Sequence, residues 1–168
     1  MIYELEKMCS DADFDKERAV ELIKKITDVN QEFLDSKYKT KSTLLDLAAA
    51  WSNYEMVKLL LENGANPNLV YDNGTENVLW NLQYAEEDAE ENKIRLNIVK
   101  LLLEYGANPN INVEEECLLE WAISYWCEDE GIQSDYRGEF ISILEDYDKM
   151  FEINDTESGL AYVRKYAP

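Results

Sequence analysis

The 168-residue chain has no histidine, only 6 glycines, 3 prolines and 3 cysteines, and 16 basic residues against 36 acidic ones. Without histidine the commonest general base and metal ligand is missing, and no Ser-His or Cys-His nucleophile pair can be assembled. Carboxylates are so abundant that no one pair marks a catalytic centre, and no glycine-rich phosphate loop is present. The expectation is a non-enzymatic protein with no catalytic residue, no cofactor and no metal. Cys9, Cys117 and Cys127 are odd in number and lack CxxC spacing, which argues against a disulfide framework or a zinc site and for three structural thiols. No apolar run approaches the roughly 18 residues of a membrane span. Met1–Ser10, interrupted by Glu4, Glu6 and Lys7, lacks the apolar centre of a signal peptide. A cytoplasmic protein with no membrane partner is expected.

The shortage of basic residues is uneven. Residues 1–42 carry 10 acids and 8 bases, residues 43–112 carry 11 and 4, and residues 113–168 carry 15 and 4, so the net charges are −2, −7 and −11 and the whole chain is −20. A field of this sign repels nucleic-acid phosphates and anionic lipid and speeds encounter with a basic protein. A basic protein partner is expected, and nucleic acid is not.

What is present is an internal repeat. Val57–Asn68, VKLLLENGANPN, returns at Val99–Asn110 as VKLLLEYGANPN, the one change being Asn63 to Tyr105. Met56, Val57, Leu59, Leu60 and Leu61 have the spacing of a helix with a wide apolar face, one that must be covered on more than one side. Gly64 and Gly106 stand where that helix has to stop in a left-handed conformation. Pro67 and Pro109 then prevent helical continuation and push Asn66 and Asn108 toward extended geometry. Ahead of this unit, Thr43–Ala50 reads as a short helix in which Ala48 and Ala49 permit close approach of a neighbour.

The sequence TLLDLAA, then EMVKLLL, then GANPN resembles the ankyrin repeat, with Leu44 in the place of the family's proline and Asp46 in the place of its histidine. The resemblance implies an all-α ankyrin-repeat solenoid of about four helix pairs, with atypical terminal repeats, as repeat stacks require at their ends. The expected divisions are an N-terminal cap over 1–39, a regular repeat over 40–70, a repeat with an insertion over 71–112, a degenerate repeat with an insertion over 113–150, and a C-terminal cap over 151–168. In the cap, Ala19, Val20, Leu22 and Ile23 repeat the helix spacing. Asp11, Asp13 and Asp15 suggest a calcium loop, but Lys16 and Leu22 occupy the positions that need Gly and Glu, so helix capping is the reading.

In the third unit a helix is expected over Asn77–Ala85 and the insertion at Glu86–Lys93, lengthening the helices or their turn. In the fourth, the second helix is expected at Phe140–Asp146, after an inserted polar segment Glu128–Gly138. Asp155–Pro168 is expected to add a last amphipathic helix.

Ankyrin repeats serve almost entirely as protein-interaction scaffolds and bind through hairpin tips and inner helices. Carried over by position, the inner-helix sites are Ala50 and Trp51, Tyr84 and Ala85, and Ser124 and Tyr125. The hairpin sites are Lys39 and Lys41, then Tyr71, Asp72 and Asn73, then Glu114 and Glu115. Trp51, Tyr71, Asp72, Asn73, Tyr84, Glu114, Glu115 and Tyr125 are the expected partner contacts, with packing between repeats the competing reading for Trp51 and Tyr125. Three roles fit: an inhibitor or immunity protein that neutralises one basic toxin domain, a regulatory adaptor with several partners, and an acidic mimic of nucleic acid.

Overall fold

In the computed structural model, residues 1–36, 40–71, 77–113, 116–118, 122 and 132–150 are described. The two GANPN turns set its geometry. Gly64 and Gly106 have φ of +89° and +85°. The Gly64 amide donates to the Leu61 carbonyl at 3.1 Å and the Ala65 amide to Leu60 at 3.0 Å, and the second copy repeats this from Gly106 to Leu103 at 2.9 Å and Ala107 to Leu102 at 3.0 Å. Both helices therefore end in a Schellman motif, which satisfies carbonyls that a helix end otherwise leaves open. A Cβ at either glycine would meet no atom within 4 Å. The requirement for glycine is thus one of backbone conformation, worth about 1 kcal/mol, and not of space.

The elements run α1 (Ile2–Cys9), α2 (Lys16–Ile23), β1 (Phe33–Leu34), β2 (Lys41–Ser42), α3 (Leu44–Ala50), α4 (Tyr54–Glu62), α5 (Val78–Asn81), α6 (Ala89–Glu104), β3 (Asn112–Val113), β4 (Glu116–Cys117) and α7 (Ile132–Met150). The fold is mostly helical with little strand. Among the described residues, two short antiparallel pairs of strands join Phe33 with Ser42 and Leu34 with Lys41, then Asn112 with Cys117 and Val113 with Glu116.

α3 packs on α1, α4 and α5, while α4 packs on α6 and α6 on α7. The contacts thus run in two rows, α1–α3–α5 and α4–α6–α7, joined where α3 meets α4. The wide apolar face of the repeated helix is explained by these contacts. Met56, Val57 and Leu60 of α4 and Ile98, Val99 and Leu102 of α6 are all fully buried, in a core that continues from Leu5 to Leu144.

Side chains cap the starts of several helices. Asp15 accepts from the Arg18 amide at the start of α2, Thr43 from Asp46 at the start of α3, and Asp88 from Glu90 and Glu91 at the start of α6. Asp15 is thus a cap, as its spacing before α2 suggests.

The closing asparagine of each unit reads the backbone of the next. Asn30 donates from Nδ2 to the Gly64 carbonyl at 3.3 Å and accepts from the Asn66 amide at 2.6 Å. Asn68 does the same to Gly106 at 2.8 Å and from Asn108 at 2.6 Å. This ladder gives a physical reason for the identity of the two GANPN segments, because the Gly64 turn receives Asn30 and supplies Asn68, which the Gly106 turn receives through the same backbone geometry.

Two expectations need correction. The helix of the third unit spans only Val78–Asn81, shorter than Asn77–Ala85. Asn77 is its N-cap, and residues 82–88 turn away into a longer connection. The helix expected at Phe140–Asp146 is instead α7, Ile132–Met150. It takes in residues 132–138 of the segment read as a polar insertion, because Tyr136 in that stretch is buried and anchors the extra turns. The expected helix at Asp155–Pro168 lies outside the described residues.

α7 is fastened to the loop after α5. The Tyr136 hydroxyl donates to the Leu82 carbonyl, and the Tyr136 and Phe140 rings stack with centroids 6.3 Å apart. Burial pushes the Tyr136 phenol up to about 12 from its ordinary 10.0, against an opposing pull from the Arg95 guanidinium. A raised phenol pKa contributes stability that is present below pH 10.0 and lost as pH rises toward 12. Urea unfolding of Tyr136→Phe is therefore expected to show about 1 kcal/mol less stability at pH 7, from the lost hydrogen bond. The variant should also fall less steeply than wild type between pH 10 and 12; parallel profiles would refute this account.

Candidate protein-binding surface

The turn joining α3 to α4 is tightly built. Ser52 carries φ of +54°, and its amide and that of Asn53 close α3 by donating to Ala49 and Ala48, both at 2.9 Å. Asn53, at 7% exposure, accepts from the Met56 amide at 3.1 Å to start α4. Its Nδ2 donates to the carbonyls of Met8 at 3.1 Å, Cys9 at 3.2 Å and Asp11 at 3.0 Å. One side chain thereby joins the end of α1 to the start of α4. Arg95 occupies the corresponding place in α6, counting from Val57 and Val99. It is 4% exposed, donates to the Asn81 carbonyl at 3.3 Å, and lies 3.1 Å from Glu86.

Trp51 ends α3 as its C-cap residue and is 40% exposed, and Tyr84, shortly after α5, is 44% exposed. Ala50 beside Trp51 is exposed and Ala85 half-buried. Both aromatics thus come just after α3 and α5, successive helices of one row, and reach the surface. Lys41, on β2, is exposed and 3.9 Å from Glu32.

Tyr71 does not belong with them. At 2% exposure it is interior, and its hydroxyl accepts from Asn81 Nδ2 at 3.1 Å. That amide group also donates to Asp46 Oδ1 at 2.9 Å, while Ser42 Oγ donates to Asp46 Oδ2 at 2.8 Å. A large ring is better packed than left in water, provided the hydroxyl finds a partner. Asp46, in the place of the family's histidine, is the centre of that network. Asp72, Asn73, Glu114, Glu115 and Tyr125, with Lys39 and Ser124, lie outside the described residues.

Ile94, which is 40% exposed, and Tyr105, which is also exposed, are not among the expected partner contacts. The signal for Tyr105 was available, since it is the one position at which the two copies differ. Ile94 carried no such signal, because it immediately follows the segment read as an insertion.

Burial pushes the Cys9 thiol well above its ordinary range, and its Sγ donates to the Leu44 carbonyl at 3.6 Å, so it serves as a packed core residue. Among the described residues, no cluster of His, Cys, Asp or Glu is arranged to hold a metal ion, and no helix is long and apolar enough to cross a membrane.

Against known proteins, residues 40–72 match the ankyrin repeat family. No curated protein matches the chain. The matched span takes in β2, the α3–α4 pair, the Gly64 turn and Tyr71. The chain therefore carries an ankyrin repeat, a protein–protein interaction module, at residues 40–72.

Proposed function

We propose that this chain is a short ankyrin-type stack with atypical ends that binds one basic protein and inhibits it, in the manner of an immunity protein that neutralises a toxin domain. The observation that carries the reading is the pair of exposed aromatics, Trp51 and Tyr84, following successive helices of one row in a chain with net charge −20. Rigid aromatics with an acidic surround suit a hot spot with a charged rim, and the net charge speeds encounter with a basic partner. No catalytic role is proposed, and the place of action is taken to be the cytoplasm.

Affinity capture from the native host at low and moderate salt, followed by mass spectrometry, tests this. One stoichiometric basic partner that loses its activity on binding is the expected result. Many substoichiometric partners would instead indicate an adaptor, and a steeply salt-dependent nucleic-acid-binding partner would indicate mimicry of nucleic acid. With the partner in hand, Trp51→Ala is expected to weaken binding about 30-fold, on the order of 2 kcal/mol for an aromatic hot spot. Titration calorimetry reads this directly, and a change below about 3-fold would remove Trp51 from the interface.

A further inference from the structure

α6 has 16 residues and α4 has 9. The added turns at its N-terminal end run past the start of α4, and the Ser52 Oγ to Glu91 Oε1 hydrogen bond of 2.8 Å pins them to the α3–α4 turn. Between α4 and α6 this leaves an open groove of about 280 Å³ lined by Tyr54, Ile94, Asn97, Lys100, Leu101 and Glu104. Ile94 follows Glu91 by three residues and so shares its side of the helix. Its exposure is unusual for a residue type that is usually interior. Half-buried Tyr54, together with Ile94 and Leu101, gives the groove an apolar stripe open to solvent, and Asn97, Lys100 and Glu104 line the rest.

The end of the groove near Ser52 is acidic. Glu86–Lys93 holds five acids and one lysine. The ammonium of Lys93 is held by Glu90 at 2.6 Å, while Glu87, Asp88 and Glu90 are exposed. Lys100 and Glu104 offset each other in the lining, so the excess of carboxylates at the Ser52 end sets the sign of the field there. An apolar stripe beside it matches a segment with aliphatic side chains on one face and cations next to them, and it repels lipid headgroups and nucleic-acid phosphates of negative charge. The volume is slightly below the roughly 300–1,000 Å³ of small-molecule pockets, which favours one or two inserted side chains.

We propose that the α4–α6 groove docks a basic amphipathic segment of a partner protein, an aliphatic side chain entering between Tyr54 and Ile94 and Lys or Arg side chains meeting Glu87, Asp88 and Glu90. This deepens the protein-binding reading and rests on it, but uses residues other than Trp51 and Tyr84. The test is an NMR titration of the full chain with a synthetic leucine/lysine amphipathic peptide, and with its leucine/glutamate counterpart, at physiological salt. Shifts confined to residues 52–55 and 87–104 with the lysine peptide alone are expected. Ile94→Glu should weaken binding at least about 10-fold, and Leu34→Ala, at an exposed position on β1, should leave it unchanged. Because Ile94 is exposed, the variant is expected to fold, which the amide spectrum checks. Shifts spread over the acidic surface and indifferent to Ile94→Glu would overturn the groove. Shifts centred on Trp51 and Tyr84 would overturn it too, while leaving the protein-binding reading in place. No shift with either peptide would refute the basic segment as its occupant.

Discussion

Phe140→Ala is expected to destabilise the protein by about 3–5 kcal/mol, the range for deleting a fully enclosed aromatic ring. Phe140 has 0% exposure and stacks on Tyr136, and α7 packs on α6, so the cavity would open in the core that α6 shares with α4. Much of a domain's net stability, about 5–15 kcal/mol, would be lost in one substitution. Urea denaturation followed by circular dichroism measures it. A lower midpoint with an unchanged slope means that stability alone has changed, whereas a smaller slope means that α7 has come away and the rest of the stack unfolds separately. A loss under about 1 kcal/mol would mean that α7 is not seated on α6 as described.

Asn53→Ala should rank next, at about 3 kcal/mol. The N-cap of α4 contributes on the order of 1 kcal/mol, and the rest comes from the carbonyls of Met8, Cys9 and Asp11 left without their shared donor in a partly buried place. Asn53→Asp separates the two roles. It keeps the cap acceptor for the Met56 amide but aims a carboxylate at three carbonyl oxygens, so it should be at least as harmful as alanine. If aspartate proves near neutral, then the cap is what matters and the link to α1 contributes little.

The helix–stop–extended unit is legible in the order of residues because its causes are local. The i, i+3, i+4 apolar spacing, a glycine where φ must be positive, a proline beyond it and a polar residue ahead of the first turn each act within a few positions. Gly64, Gly106 and Asp15 accordingly do what their positions suggest. Trp51 reaches the surface directly after the short helix read over Thr43–Ala50, whereas Tyr84, expected within a helix over Asn77–Ala85, reaches it beyond the end of α5.

Other features depend on how units stack, and stacking is non-local. The burial of Tyr71 depends on Asn81 and Asp46 coming together, thirty-five positions apart in the chain. The extent of α7 depends on Tyr136 finding the Leu82 carbonyl, fifty-four positions away. Ile94 is exposed because α6 outruns the neighbour that would have covered it. Residue order therefore established the repeating unit, its stops and its acidity, all short-range or additive properties. Only the packed rows decided which aromatic is interior and where a groove opens, because burial is a property of two surfaces brought together and neither strand of sequence contains it alone.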